Sequence, residues 1–499
     1  MIAGMIEMMN DYILKIISQR SFTLFAALLF SVLCLNWSVP VNFDADTILQ
    51  SLMSTQKVTL FYWGQDRYAN FLPFIYSWVK SPTLNLLLIL FTSGLAYFLL
   101  LELVSDACAR YHTRNVALFR TILFFCLVFV SVVVLNKKGL YVFAYSAQPY
   151  SLSFLLLGYT WVLAVKPAPN LSASLLVALL LFVAIGVNPS IILICAVSFI
   201  FFYASKRNSH YFLVPLLSLL FFGFWQYVSK TSVAGHEDYS QLSAELLFKG
   251  LRGSTKHFIE STETLGLTVS LLAATVALSF LSTKNALRFR ANFLIAVIGV
   301  SAVAWWLLFA MSTYVSRNEF HFRYFFPTLL ALLVLISFTL ADFLLALKER
   351  IMVLAVGAVY AFILAIIITP YKPISYWHSS GVFDSVGQYL RATESRILTG
   401  GYWQVWPALF RIQSTNNRKD AEGRPWVYAA ASRGKVNRAE MDSLIVQESR
   451  QGKTTSAVCI GAQTEQCLNE LTINTSFNWQ FVEEGNCFTM KCYLFRVKN

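Results

Sequence analysis

Charge is what this sequence has least of: acidic and basic residues fill 13% of its 499 positions, against roughly 25% in soluble domains. Hydrophobic residues make up 57%, 42 of them phenylalanine, and the mean hydropathy is +0.59. A soluble core of this length does not need so much apolar surface, so an ordinary soluble protein is excluded. No small-residue cleavage site follows the first apolar run, which therefore reads as an anchor and not a removed signal peptide. The polar C-terminal tail has neither Walker nor GxGxxG spacing, its nearest pieces being Thr399-Gly-Gly and Gly434-Lys, so no nucleotide fingerprint is present. No internal repeat stands out. The net charge of +13 is no sign of nucleic acid, because much of it lies in short loops between apolar runs, where it orients a membrane protein and meets anionic head groups.

Present instead are apolar runs of membrane-crossing length. They cover Phe22–Val41, Thr83–Val104, Val116–Leu135, Tyr150–Val165, Ser172–Val187, Ile191–Ala204, Tyr211–Val228, Leu265–Leu281, Ala291–Met311, Phe325–Ala346 and Ile351–Thr369, and predict eleven spans. Asn188-Pro189 breaks the helix between the fifth and sixth. With the N-terminus cytoplasmic, the basic turns at Arg110–Arg114, Lys206–Arg207, Lys284–Arg290 and Lys348–Arg350 fall inside, and an odd number of spans sends the tail outside. The expected organisation is an α-helical polytopic membrane part over residues 1–369, with an extracytoplasmic loop over 42–82, and a small extracytoplasmic α/β domain over 370–499.

The tail carries its own evidence of compartment. Cys459, Cys467, Cys487 and Cys492 cluster there in even number, which suggests two disulfides with three pairings open. Their gaps do not match paired zinc knuckles. Helices are predicted over Gly381–Arg396 and Arg438–Ser449, and strands over Arg396–Gly400, Pro425–Ala429, Ser456–Ile460 and Cys492–Val497. Gly401–Pro407 is aromatic enough to stack on a sugar or face the membrane, with a buried core strand as the equal competitor.

The first outward loop has more chemistry than a connection needs. It opens on two acids, Asp44 and Asp46, and continues to the cluster Tyr62, Trp63, Gly64, Gln65, Asp66 and Arg67. A second junction, His321-Phe322-Arg323-Tyr324-Phe325-Phe326-Pro327, leads into the tenth span. A multi-span chain with an acid pair straight after its first span, such a junction and a soluble domain after the last span resembles the GT-C superfamily of membrane glycosyltransferases, the group of the protein mannosyltransferases and the aminoarabinose transferases. The resemblance implies a sugar donor carried on polyprenyl phosphate and transfer with inversion. It implies Asp44 as catalytic base, alone or with Asp46 through a divalent cation such as Mg2+ or Mn2+, and Arg323, flanked by His321 and Tyr324, at the lipid phosphate. Tyr62, Trp63, Gln65, Asp66, Arg67 and the Lys137-Lys138 pair are further candidates for substrate contact. The acceptor it implies is a cell-envelope glycan or another lipid-linked molecule, at the outer face of a bacterial inner membrane.

Plainer readings compete at each residue. Asp46 precedes an apparent helix start and suits an N-cap; Tyr62 and Trp63 suit an interfacial aromatic belt; Arg323 suits snorkelling to head groups; Asp66 and Arg67 suit a mutual pair. His236, Glu237 and Asp238 suit a solvated loop. Glu102, Arg120 and Asp342 lie near span ends, within reach of water. Among whole-protein rivals, a flippase or other transporter would show broken helices and repeats, and a polysaccharide polymerase or ligase would act through arginine- and histidine-bearing outward loops.

Overall fold

The computed structural model of the chain describes residues 19–42, 44–63, 69–110, 115–146, 150–164, 171–196, 213–232, 241–261, 288–347, 349–368, 380–415, 425–487 and 490–498. It divides into two compact units. One comprises Met1–Val39, Phe91–Val228 and Gly235–Pro370, and the other Pro40–Leu90, Ser229–Ala234 and Tyr371–Asn499. The first loop thus belongs with the tail, whereas the sequence reading left it with the membrane part.

Among the described residues four helices are long and apolar enough to cross a membrane: Arg20–Val39, Pro82–Ala109, Val116–Tyr145 and Arg323–Ala346. A fifth is added if Leu171–Val187 and Pro189–Ala196, bent by 119° at Asn188, count as one span. The break has the expected cause, since Asn188 accepts from the Ser190 amide and Pro189 cannot continue the ladder. Shorter apolar helices lie at Tyr150–Ala164, Gly299–Ala310 and Val356–Ile367. The predicted span Leu265–Leu281 lies outside the described residues, so four or five of the eleven predicted spans are seen as full-length apolar helices.

Two expectations for this unit change. The stretch between the predicted spans Tyr211–Val228 and Leu265–Leu281, read as loop, contains the Leu246–Ser261 helix, whose Gly250 and Gly253 let it lie against Ala310 and Phe320; a Cβ on Gly250 would come within 2.1 Å of the Ala310 carbonyl oxygen. The helix breaks at Asn136, where the third predicted span ends. That residue takes φ 51°, its side chain accepts from the Lys138 and Gly139 amides at 2.9 and 3.2 Å, and the helix resumes. Glu102, finally, does not reach water. It is fully buried and takes the Arg20 guanidinium at 3.2 Å, while Arg120 faces Asp106 at 3.6 Å. An ionised side chain at such depth persists only when paired. Close helix approach is fixed by Gly94, where a Cβ would stand 2.2 Å from the Tyr145 ring, and the Tyr145 hydroxyl donates to the Ser31 carbonyl at 2.8 Å.

In the second unit a five-stranded sheet has the order β2-β1-β3-β5-β4, with β1 Ile397–Gly400, β2 Tyr428–Ala430, β3 Ser456–Ile460, β4 Trp479–Cys487 and β5 Met490–Val497. β1 runs parallel to β2 and β3, and β5 runs antiparallel to β3 and β4. The predicted strands at β1, β3 and β5 and the helices Ser380–Ala392 and Arg438–Arg450 are present. β4 and the Thr464–Asn474 helix were not expected. Gly401–Pro407 is not a strand: it opens the Tyr402–Thr415 helix, whose buried face includes Val405, Trp406, Leu409 and Phe410. Both disulfides form, Cys459–Cys467 and Cys487–Cys492, with Cα atoms 6.0 and 5.8 Å apart. The first ties β3 to the following helix and the second closes the β4–β5 hairpin.

Candidate active site

The acid pair heads the Ala45–Thr55 helix, and it does so in the opposite order to that expected. Asp44, not Asp46, is the N-cap: its backbone is extended (φ −125°, ψ 170°) and its Oδ1 accepts from the Thr47 amide at 2.8 Å. One orphan donor of the helix start is thereby satisfied. Asp46 lies in the first turn, where a negative charge opposes the helix dipole favourably. The helix is buried from Ala45 through Ser54. Its polar residues are accommodated individually, Ser51 donating to the Pro82 carbonyl and Ser54 to the Pro73 carbonyl, both at 2.8 Å.

Asp46 is 7% exposed, and its surroundings explain how a carboxylate survives there. The Tyr402 hydroxyl donates to Oδ1 in a short hydrogen bond, and Nη1 of Arg433 stands 3.6 Å from the same oxygen. The guanidinium lies over two rings, 5.0 Å from the centre of Tyr62 and 5.2 Å from that of Tyr402, so cation–π attraction adds to the ion pair. Tyr62 donates to the Asp46 backbone carbonyl at 2.8 Å. Burial pushes the Tyr402 phenol well above its usual range, the Tyr62 and Asp46 charges adding to the shift and Arg433 opposing it. The phenol therefore remains a proton donor to Asp46 at any working pH.

Trp63 is 1% exposed, donates its ring N–H to the Lys57 carbonyl at 3.0 Å and faces Trp406 at 6.0 Å. Tyr62 and Trp63 are thus internal and not the belt residues that interfacial aromatics would be. Lys57 reaches Glu440 at 2.6 Å and the Val436 carbonyl at 2.9 Å. Gln65, Asp66 and Arg67 lie outside the described residues, as do His236, Glu237 and Asp238.

The second group belongs to the other compact unit. Phe322–Phe325 form a turn of 3-10 helix capped by His321, whose Nδ1 accepts from the Arg323 amide at 3.3 Å. Arg323 donates to the Tyr324 hydroxyl at 3.0 Å and its guanidinium lies 5.0 Å from that ring. Tyr324 is buried, bonded to the Tyr314 hydroxyl at 3.2 Å, and its carbonyl accepts from Trp305 at 3.1 Å. The guanidinium is thus held by its neighbour's phenol and ring, which is a more defined placement than snorkelling requires. The His257 ring lies 6.0 Å from that of His321. Lys137 and Lys138 are exposed, Lys137 lying 5.7 Å from the Trp37 ring.

Sequence reasoning missed Tyr402, Arg433 and His257. Tyr402 falls in a stretch noted for its aromatics, Arg433 carries no local signal, and His257 lies where a polar loop was expected. Among the described residues no three His, Cys, Asp or Glu side chains gather as metal ligands.

No family model matches the sequence, and no curated protein matches it. Solved structures do. ArnT from Cupriavidus metallidurans in the apo state superposes with a TM-score of 0.51 at 13% identity, over 95% of this chain and 97% of that one. The chain has the ArnT fold. The same ArnT bound to undecaprenyl phosphate gives a TM-score of 0.54 at 12% identity over the same shares. ArnT is an aminoarabinose transferase of the GT-C family, and at this identity the likeness is one of fold.

Proposed function

We propose that this chain is an integral-membrane glycosyltransferase of GT-C type that takes one sugar from a polyprenyl-phosphate carrier and passes it to an extracytoplasmic acceptor. The observation that carries the reading is a carboxylate, Asp44, fixed at the half-buried end of a buried helix within a fold shared with ArnT over 95% of the chain. ArnT itself has been captured with undecaprenyl phosphate.

In this reading the acceptor hydroxyl attacks the anomeric carbon from the face opposite the leaving group. Its proton passes to Asp44, the bond between the anomeric carbon and the phosphate oxygen breaks, and its electron pair leaves on the polyprenyl phosphate, so the configuration inverts. Arg323, held by Tyr324, supplies a permanent positive charge and a forked donor suited to phosphate oxygens. Lys137 and Lys138 add exposed positive charge of the kind that attracts anionic head groups. A divalent cation would take Asp44 and Asp46 as its ligands. Oδ1 of Asp46 is already engaged by Tyr402 and faced by Arg433, a poor setting for a second cation, so no step is routed through a metal.

Among the described residues the bend at Asn188 is the broken helix pair that a transporter reading would claim. The test separates the two. Proteoliposomes holding the purified chain are given synthetic polyprenyl-phosphate sugars and an envelope glycolipid extract, with and without chelator. A new glycosidic bond is the expected product, formed equally with chelator; donor that crosses the bilayer unconverted would refute the transferase.

A further inference from the structure

Asp44 reads as the working carboxylate, but nothing within the Ala45–Thr55 helix explains why its first turn stays in place. The explanation comes from the far end of the sequence. We propose that Tyr402 and Arg433 are positioning residues for Asp44: they clamp the first helical turn through Asp46 and Tyr62, and so fix the capping carboxylate. This rests on the transferase reading above.

Two routes lead from the clamp to the turn. Through the side chain, Asp46 receives the Tyr402 hydroxyl and faces the Arg433 guanidinium. Through the backbone, the Asp46 carbonyl receives the Tyr62 hydroxyl at 2.8 Å, and the Tyr62 ring is itself covered by Arg433. One guanidinium therefore braces both. The Asp44 cap closes on Thr47, a residue of that same turn, so any loosening of Asp46 is felt two residues upstream. Exposed pairs elsewhere in this unit, such as Lys491 with Glu484, tie neighbouring surface strands and contribute little. The Asp46 pair sets a buried carboxylate against a half-buried guanidinium and spans more than 380 positions of sequence, as the numbering of Arg433 shows.

The backbone at Arg433 supports an assigned task. Its φ is 74°, in the left-handed region that side-chain-bearing residues rarely adopt. Such a conformation persists only where the surroundings over-determine it, and it gathers at functional positions. Here the following Gly434 presses against β2, where a Cβ would lie 2.3 Å from the Ala429 carbonyl oxygen, and its amide donates to the Ala431 carbonyl at 2.6 Å. This tight turn aims the guanidinium between the two phenol rings. A lysine would keep the charge there but lose the flat face that stacks.

The test uses the full-length protein in lipid nanodiscs and two readouts. Hydrogen exchange follows the Thr47, Ile48 and Leu49 amides, and transfer kinetics follow the donor. Tyr402→Phe and Arg433→Ala are expected to speed exchange at those amides at least about ten-fold, the factor that 1.4 kcal/mol represents. They are expected to lower kcat by about ten-fold or more while the donor KM stays within about two-fold, the signature of a lost transition-state contribution. Arg433→Lys should recover part of kcat, and Arg438→Ala, which breaks an exposed contact with Ser476 and Asp442, should change neither readout. Where Arg433→Ala fails to insert, Tyr402→Phe, which removes a single oxygen, carries the test. Unchanged exchange in Tyr402→Phe, or a KM that rises while kcat holds, overturns the clamp. Faster exchange in the variants with no transfer by the wild type refutes the transferase and, with it, a catalytic purpose for the clamp; the two failures are thus distinguishable.

Discussion

Replacing Asp44 by asparagine separates two tasks that one carboxylate performs. The first is structural: Oδ1 accepts from the Thr47 amide at 2.8 Å and closes the start of a helix that is buried from Ala45 through Ser54. Asparagine ranks with aspartate as an N-cap, and its amide oxygen can take the same bond, whereas alanine forfeits it at a typical cost of about 1 kcal/mol. The second task is chemical, and asparagine cannot perform it, because a carboxamide does not accept a proton near neutral pH. Loss of a general base typically lowers a rate by about 10²- to 10⁴-fold. The two substitutions should therefore agree in one measurement and differ in the other. Asp44→Asn and Asp44→Ala are expected to lose transfer alike, while only Asp44→Ala lowers the unfolding temperature. The assay is sugar transfer from polyprenyl-phosphate donors in proteoliposomes, normalised to inserted protein, beside thermal unfolding of the same samples. An Asp44→Asn variant that keeps more than a tenth of wild-type transfer would remove Asp44 as the base, since a tenth is far above the residue expected from general-base loss. If the two variants unfold at the same temperature, the cap is not contributing as the geometry implies.

Three further outcomes follow from the packing. Arg20→Ala strands the fully buried Glu102 carboxylate, among the described residues, with the Thr23 hydroxyl at 3.4 Å, a loss on the order of 3–5 kcal/mol, whereas Glu102→Gln leaves an arginine whose side chain is 45% exposed and can turn to water; unfolding temperatures in nanodiscs should rank Arg20→Ala well below Glu102→Gln, and equal values would refute the pairing. Opening Cys459–Cys467, which closes a segment of eight residues, should destabilise the tail by roughly 2.5 kcal/mol on the chain-entropy estimate, read as a lower denaturation midpoint of the tail's tryptophan fluorescence in Cys459→Ser/Cys467→Ser; an unchanged midpoint contradicts it. Burial raises the Glu470 carboxyl above its usual value, with the hydrogen bond from Asn474 opposing, so the folded state binds the proton more tightly and this group's stability contribution is present below the ordinary glutamate pKa and lost as pH rises through the raised one. Glu470→Gln keeps an acceptor for Asn474 and should unfold later than wild type at neutral pH, the gain vanishing near about pH 4; a gain of the same size at both would refute the assignment.

What the sequence disclosed and what it hid follow a physical line. Span positions were legible because a helix in lipid must be apolar over its whole length, and Arg20–Asn42, Pro82–Ala109, Val116–Leu140 and Phe326–Ala346 fall within a few residues of their predicted limits. Strands β1, β3 and β5 were legible as short buried runs bounded by polar residues. β4 was not, because only Trp479 and Cys487 of its nine residues are buried and an edge strand that faces water carries little apolar pattern. The Leu246–Ser261 helix was hidden by its polar face, Lys249, Arg252 and Lys256, which reads as loop when the packed Gly250, Gly253 and Ser254 are too small to mark an apolar stripe. At the candidate site the acid pair was visible and its division of labour was not. Which of two aspartates caps and which is buried depends on Tyr402 and Arg433, residues more than 350 positions away that no local pattern joins to them.

That dependence changes how the C-terminal region is understood. A soluble domain appended to a membrane enzyme would keep its own core and meet the rest through a polar surface. Here the Tyr402–Thr415 helix packs directly on the Ala45–Thr55 helix, Trp63 of the following loop meets Trp406, each almost wholly buried, and Ile48, Leu49, Val405 and Leu409 on the two helices are unexposed. Fully burying an aliphatic side chain contributes about 1.5–3 kcal/mol, so this handful of residues accounts for a substantial part of what holds a small sheet domain together. The same helix carries Tyr402, which donates to the buried Asp46 carboxylate that Arg433 faces, and a charge so buried is tolerated only when its partners are kept. Loop and tail therefore gain their order together. The residues packed between the Tyr402–Thr415 and Ala45–Thr55 helices thus serve the tail's core and the acid-bearing helix together, and a substitution that loosens one is expected to loosen the other.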